Sequence, residues 1–558
     1  MFEHLSGDKK RVNVRDFGAI GDGVANDTAA VRAAASSLTD GGIVYFPAGI
    51  YLIDFVPFYE GVTYLLEGKV DDVTKGFTDD LRERIESGKE FAVVRSTGKS
   101  DIFINHEMGE FASDNAASNY GLSGGVVDGI GRVRHFIFIH CENVLLENCI
   151  VLDSPNNHAI QVTGAKNVMI RNCMFAGYNF RGNLYAETIQ IEQSHPGAIG
   201  WQLFTSSNVN VGEYRFSENV TVEGCYFGKS DKFGAPLIPI GHHGMEYKSS
   251  VTGCYIHGCV FDNPLYMALR PYAYSNLVVE NNTFISTEEK VVEPSDALIT
   301  YVLGKPNSKA VVFDEAGHYI QGFFEPSYAS EGSICTKIRN NKFVIKGNRQ
   351  PRILNAVGIY KPGMKVTTHM VKIDEFGGKP YPFHGYKTVR DMIYDLEFVG
   401  NDITILDTKP AVTDYLMRFE KVYDLKIADN KITSNVESYT NWYRANEAVK
   451  LVESTSGTEG KTRIIEGDGA CGRRVILPLG DGEVCRAHCA CRLDITLYTQ
   501  PEGRIETSTD ENGNGVITVL PNEGYRFVGW RAVDAESPLA AGDVELSAPI
   551  ALIAEYAK

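Results

Sequence analysis

The 558-residue sequence has no run of 18 apolar residues, so it offers no helix able to span a bilayer. It has no basic excess either: 54 Lys and Arg stand against 71 Asp and Glu, for a formal charge of −17 at pH 7. A surface of that sign repels phosphate backbones and excludes nucleic acid as a natural partner. It also disfavours a polyanionic glycan unless basic residues line a local groove. The opening, MFEHLSGDKKRVNV, lacks the apolar stretch of an export signal. Two locations therefore stay open: secreted or cell-surface with a leader outside this sequence, or cytoplasmic. Apolar residues are not scarce, at 43% against 22% charged, so a folded core is expected. The 55 Gly suit many short strands joined by tight turns.

The 11 Cys are an odd number and do not pair off as a framework. Cys141, Cys149, Cys173, Cys225, Cys254 and Cys259 recur within one stretch, which favours buried apolar thiols over disulfides. Cys485, His488, Cys489 and Cys491, with Cys471 upstream, form a second group. Its CxxxCxC pattern is not a standard zinc spacing, so no metal or other cofactor is expected. Whether that group holds a disulfide or free thiols stays open.

One pattern repeats along the chain. NVLLENCIVL contains Cys149, NVMIRNCMF Cys173, NVTVEGCYF Cys225 and YIHGCVF Cys259. NLVVENNTF contains Asn282, KIRNNKF Asn341, DLEFVGNDI Asn401 and DLKIADNKI Asn430. Each unit is an alternating strand, a polar turn around Cys or Asn, and a second apolar strand. The marker spacings are 24, 52, 34, 23, 59, 60 and 29, that is, single coils, coils with insertions, or two coils. Strand-bearing self-similarity of this kind predicts a β-solenoid with parallel sheets and right-handed connections. A propeller would repeat nearer 40–50 residues. Stacked Asn side chains can bond one another from coil to coil.

The N-terminus carries VNVRDFGAIGDGVANDTAAVRAA (12–34) followed by GGIVYFPAGIYLI (41–53), with GGVVDGIG at 124–131. These stretches resemble the opening of the pectate-lyase-like superfamily, which includes polygalacturonase-type glycoside hydrolases. The resemblance covers roughly residues 12–435. It implies an all-β, right-handed parallel β-helix capped by an N-terminal helix. In that reading Asp16, Asp22 and Asp27 are structural, with Asp27 capping the helix that starts near Thr28. Residues 495–558, with NEGYRFVGW and IALIAEY, resemble the InlB B-repeat-like modules of bacterial extracellular proteins, which implies export. The expected domains are a β-helix catalytic domain over 1–440, a closing cap or linker over 441–494, and a small β module over 495–558.

In a β-helix, function must lie on outward positions of one sheet or in the loops. Three strands align: His158-Ala-Ile-Gln-Val, Glu187-Thr-Ile-Gln-Ile-Glu192 and Met267-Ala-Leu-Arg270-Pro-Tyr272. With the aliphatics inward, alternation sends Gln161, Gln190 and Arg270 outward in one column, and Glu192 shares their face. His158 and Glu187 share the position where the strand begins. Stacked rungs of His, Glu, Gln, Arg and Tyr can hold an array of sugar hydroxyls. DSPNNHAIQVTGAKNVMIRN (153–172) resembles the polygalacturonase-type coil before the first catalytic aspartate, which places Glu187 near that aspartate's position. The family's paired Asp is missing and only Asp231 remains; GHHG (241–244) stands for GHG, and Arg270 holds the RIK place without its lysine. E-x-I-Q-[IL]-[DE] is closer to bacterial surface β-helix proteins.

Two carboxylates across a glycosidic bond can hydrolyse it, and a separation of about 6.5–9.5 Å predicts inversion. The expectation is therefore an inverting glycoside hydrolase acting on an oligo- or polysaccharide. Glu187, Glu192, Asp231 and His243 are the candidate catalytic residues. His158, Gln161, Gln190, Trp201, His242, Arg270 and Tyr272 are the candidate sugar contacts. A polysaccharide lyase or uronate epimerase needs cations at a uronate, and these strands offer one Arg, no Lys and no tight Asp cluster. A non-catalytic, cell-surface glycan-binding adhesin on the same fold is the third reading.

Overall fold

The structure is a computed structural model. It describes residues 9–105, 116–184, 186–192, 217–242, 251–272, 274–288, 297–302, 312–313, 319–320, 333–346, 352–358, 364–370, 393–406, 415–434, 441–446, 448, 451–456, 462–466, 474–488, 493–532, 539–546 and 550–558. The repeat folds as expected into a right-handed parallel β-helix. Each coil crosses three faces. One coil runs Glu142–Glu147, Ile150–Ser154, Ile160–Thr163, and the next Lys166–Arg171, Met174–Tyr178, Glu187–Glu192. The first two faces are continuous in a 24-stranded sheet, because the 13-residue strand Val422–Ser434 runs through both. The third face is a 12-stranded sheet.

The turn between the first two faces explains the sequence markers. Asn148, Asn172, Gly224, Gly258, Asn281, Asn340, Gly400 and Asp429 all have positive φ, between 51° and 68°. Asn, Asp and Gly tolerate that left-handed conformation. The next residue of each turn then points inward as the Cys or Asn marker. Cys149 and Cys173 lie sulfur to sulfur at 3.5 Å, and all six thiols of the predicted set are free and buried. From Asn282 onward amides replace thiols. Asn282 Nδ2 donates to Asn341 Oδ1 (3.0 Å), Asn341 Nδ2 to Asn401 Oδ1 (3.0 Å) and Asn401 Nδ2 to Asn430 Oδ1 (2.9 Å). Each Oδ1 also accepts a backbone N–H from the preceding coil at 2.9–3.0 Å. Beside this column, Phe175, Phe227, Phe261, Phe284 and Phe343 stack at centroid distances of 4.7, 5.2, 4.7 and 4.8 Å.

The helix Thr28–Ser36 closes the N-terminal end, burying Val31, Ala34 and Ala35 against the core. Asp27 does not cap it. Its carboxylate accepts the N–H groups of Ile20 (2.7 Å) and Gly21 (3.2 Å), so it shapes the DFGAIG loop instead. The N–H of Thr28 goes to Asn26 Oδ1 (3.0 Å).

The solenoid does not stop at 440. Asn441–Asn446 and Thr462–Glu466 add two rungs to the third face, and Val452–Ser456 adds one to the first. The hairpin Val475–Pro478/Val484–His488, expected in a linker, belongs to the C-terminal module, in a five-stranded sheet with Gly503–Thr509, Gly515–Pro521 and Gly542–Glu545. A second sheet holds Leu493–Thr499, Arg526–Ala532 and Ile550–Ala557, plus Met364–Met370 from an insertion in the solenoid. Trp530 donates to the Pro478 carbonyl at 2.7 Å and packs, partly buried, against this module's core. Cys485 is buried there as a free thiol, while Cys471, Cys489 and Cys491 lie outside the described residues. Among the described residues no group of three or more His, Cys, Asp or Glu is placed to hold a metal. No helix among them is long and apolar enough to cross a membrane.

Asn341→Ala is expected to destabilise the protein by about 3 kcal/mol or more, because it strands the backbone N–H and one side-chain N–H of Asn282 inside the core. Asn340→Gly, at a left-handed position, should stay within about 0.5 kcal/mol. Denaturant melts of the two variants check this; equal losses contradict it. A second expectation concerns His135, which is wholly buried where the third face begins. Burial lowers its pKa from 6.5 to about 4, against the opposing effect of its hydrogen bond with the Leu152 carbonyl. The unfolded chain binds that proton below about pH 6.5 and the folded chain does not. Stability present above pH 6.5 is therefore lost as pH falls towards 4, by roughly 3 kcal/mol. His135→Gln should flatten this stretch of the stability–pH curve, and an unchanged slope contradicts the assignment.

Candidate functional site

The third face carries the candidate site, and its register decides which side chains meet. Ile160, Ile189, Ile240 and Leu269 pair in one column and point into the core. Gln161, Gln190, Gly241 and Arg270 form the neighbouring outward column. Thr163 pairs with Glu192 in a second outward column. The expected stacking of Gln161, Gln190 and Arg270 is thus present, with a glycine rung between Gln190 and Arg270.

Two separate clusters result. In the first, Arg270 reaches back over the glycine rung to Glu187, donating from Nε at 2.8 Å and again from Nη2, while its Nη1 donates to the Leu184 carbonyl at 3.3 Å. His158 Nδ1 donates to the Glu187 carbonyl oxygen at 2.9 Å and lies 3.7 Å from its carboxylate. Glu187 is 0% exposed, beside the apolar cluster of Tyr178, Leu237, Ile238 and Met267. Its charge also raises the Tyr178 pKa, although burial is the larger cause. Tyr272 lies under the Arg270 guanidinium at 5.9 Å. His242 stacks on Tyr274 at 5.4 Å and 12° and meets Tyr272 edge-on at 6.2 Å. These rings bracket the ion pair.

In the second cluster, Glu192 is 4% exposed and surrounded by donors. Gln161 Nε2 donates to Oε1 at 2.8 Å, Thr163 Oγ1 to Oε1 at 3.2 Å, and Gln190 Nε2 to Oε2 at 2.9 Å. Gln161 is fixed from behind by Arg134 Nη1 on its Oε1 (3.2 Å), and Arg134 is itself paired with Asp101 at 2.7 Å. Ser217 Oγ donates to the Glu192 carbonyl at 2.6 Å.

The expected catalytic carboxylates engage different partners. Glu187 and Glu192 lie five residues apart on one strand, about 17 Å along it, and lean to opposite partners. Asp231 is held elsewhere, by Arg82 Nε at 2.8 Å and Nη2 at 2.6 Å. The same guanidinium binds Asp153 at 3.0 Å, so Asp231 ties the helix Asp79–Glu86 to the second face. His243 and Trp201 lie outside the described residues. The sequence reading missed Thr163, Arg134 and Ser217. Thr163 was accessible to it, since the alternation that selects Gln161 selects Thr163 two residues later. Arg134 and Ser217 act from strand ends, where no periodicity marks them.

Comparison with known proteins agrees with this architecture. The profile of the pectate-lyase-like rhamnogalacturonase A/epimerase family matches residues 11–62. The chain is 30% identical over 299 residues to plasmin and fibronectin-binding protein A of Streptococcus pneumoniae, an alignment covering 49% of this chain and 39% of that protein. It thus spans about two fifths of that relative's length. A 43-residue stretch is 58% identical to mannuronan C5-epimerase AlgE1 of Azotobacter vinelandii, covering 7% of this chain and 3% of that one. The crystal structure of PfbA, a surface adhesin of Streptococcus pneumoniae, superposes with a TM-score of 0.54 at 17% identity, over 92% of this chain and 99% of that one. The chain therefore carries a right-handed parallel β-helix, and the family match at residues 11–62 agrees with the resemblance read at its N-terminus.

Removing one partner of the buried ion pair should be costly. Arg270→Met is expected to lose about 3–5 kcal/mol, and the double variant Glu187→Leu/Arg270→Met to recover most of it. Chemical denaturation of the single and double variants decides. A double variant as unstable as the single would show that the pair is not the reason for the loss.

Proposed function

We propose that this pectate-lyase-like β-helix is a glycan-binding protein of the cell-surface adhesin kind, with its sugar site at the Gln161–Gln190–Glu192 cluster. The observation that carries this reading is a single outward carboxylate, Glu192, oriented by two amides and a hydroxyl on adjacent coils. Such an array matches the donor and acceptor pattern of sugar hydroxyls. A surface location and a binding role are further supported by the similarity to the pneumococcal plasmin and fibronectin-binding protein and to the surface adhesin structure.

Glycoside hydrolysis, the leading expectation from sequence, is the second reading. One observation favours it: Glu192 is held in place by neutral donors, which suits a base that takes a proton from water. Its general acid would have to come from residues beyond the described ones, where Glu213 and Glu246 occur in sequence. Among the described candidates, Glu187 and Asp231 are engaged by arginines and neither joins Glu192.

A glycan panel scored for both retention and new reducing ends separates the two readings. The proposal expects retention of at least one glycan, weakened about tenfold in Glu192→Gln, with no reducing ends released by wild type. Turnover that disappears in Glu192→Gln would replace binding by hydrolysis. Retention untouched by Glu192→Gln would remove this cluster from the function.

A further inference from the structure

The two ends of the solenoid are closed in different ways. At the N-terminal end the helix Thr28–Ser36 lays Val31, Ala34 and Ala35 on the core. At the C-terminal end no helix does so among the described residues. The last strands there are Val452–Ser456 on the first face and Thr462–Glu466 on the third, and each pairs with a described strand on one side only. Such an edge carries a row of unpaired N–H and C=O groups that another chain can extend.

The inward positions of these two strands differ from those of the rung below. Ile427 and Tyr443 are wholly buried in the core, and the register sets Glu453 over Ile427 and Arg463 over Tyr443. Arg463 Nη2 donates to Glu453 Oε1 at 2.9 Å, so an ion pair reaches from the first face to the third across the end of the core. The pair touches solvent, with the Arg463 side chain 32% exposed and that of Glu453 20%. Both charges act on the Tyr443 hydroxyl beneath them: burial raises its pKa to about 12, Glu453 adds to the rise and Arg463 opposes it. The amide column ends in the same rung, where Asn430 Nδ2 donates to the Thr455 hydroxyl at 3.4 Å. Beside the pair, Ile465 lies over the buried Ala445 and is 57% exposed, so the end also carries an uncovered apolar side chain.

We infer that the C-terminal end of the solenoid is a latent self-association surface, held closed against a second copy of the chain by the Glu453–Arg463 pair. The partner it fits is another C-terminal end. The core at the opposite end is covered by its helix, whereas two C-terminal ends present the same edges to each other about a two-fold axis. Pairing them would take Ile465 of both copies out of water, which favours association. It would also bury two ion pairs, and the loss of their hydration opposes association. Inward-pointing charges at an edge are one way in which a sheet resists extension by another chain. This surface lies apart from the glycan site, which occupies outward positions of earlier coils.

The test is the mass of the full chain by light scattering over a concentration series, with circular dichroism melts to show that each variant is folded. The variants are Glu453→Val/Arg463→Leu, the charge-reversed Glu453→Arg/Arg463→Glu, and the apolar pair combined with Ile465→Glu. Wild type and the charge-reversed variant are expected to keep one mass at all concentrations. The apolar double variant is expected to reach twice the wild-type mass as concentration rises, and the added Ile465→Glu to return it to the wild-type mass. If the apolar double variant does not fold, Glu453→Gln/Arg463→Gln carries the same expectation at higher concentration. A folded variant without the charges that keeps the wild-type mass would overturn the inference. So would doubling of the charge-reversed variant, or doubling that survives Ile465→Glu.

Discussion

The structure depends on the bond between each inward marker and its counterpart one coil away. A parallel solenoid has no hairpins to fix its register, and a slip of one residue would turn every side chain of a strand to the opposite face. The left-handed residue at each turn aims the marker inward, and the marker then binds the next coil. Asn282, Asn341, Asn401 and Asn430 do this with both side chain and backbone, so each coil is tied to the next by two hydrogen bonds through one amide. The thiols of the earlier coils make weaker contacts, and there the apolar column of Phe side chains supplements them. The change from thiol to amide falls between Cys259 and Asn282, where Asn282 Oδ1 accepts the Cys259 N–H at 2.8 Å.

That register produces the chemistry of the third face. Residues 29 apart, such as Gln161 and Gln190, become neighbours only because Ile160 and Ile189 stack beneath them. The same logic separates carboxylates that look alike in sequence. Glu187 is buried with a guanidinium on its Oε1, and Asp231 holds a helix to the second face through Arg82. Glu192 is contacted by neutral donors, which orient a carboxylate without cancelling its charge. A buried ion pair offsets its own desolvation at best, whereas a carboxylate held this way keeps its capacity to bind.

The fold was legible in the sequence because its signals are local. The Cys and Asn markers, the DFGAIGDG opening and the alternation of each strand all sit within a few residues of what they determine. The outward column was legible for the same reason, and Gln161, Gln190 and Arg270 stack as alternation requires. What the sequence hid were choices made between distant segments. Asp231 pairs with Arg82 across 149 positions, and Arg270 reaches Glu187 across 83, so neither partner is visible from its own strand. Asp27 was read as a helix cap because it precedes Thr28, yet two loop amides compete for its oxygens and win. The domain boundary was hidden as well: Asn441–Asn446 carries no marker, and Met364–Met370 leaves the solenoid to join a strand more than 120 residues later.

The account's central claim is that stacked coils assemble Gln161, Gln190 and Glu192 into one sugar site on the third face. A crystal structure with a bound oligosaccharide tests it most directly. The account predicts sugar oxygens within hydrogen-bond distance of the Gln161–Gln190–Glu192 cluster. A sugar seated instead on the first face or on the C-terminal module, with the third face bare, would contradict it.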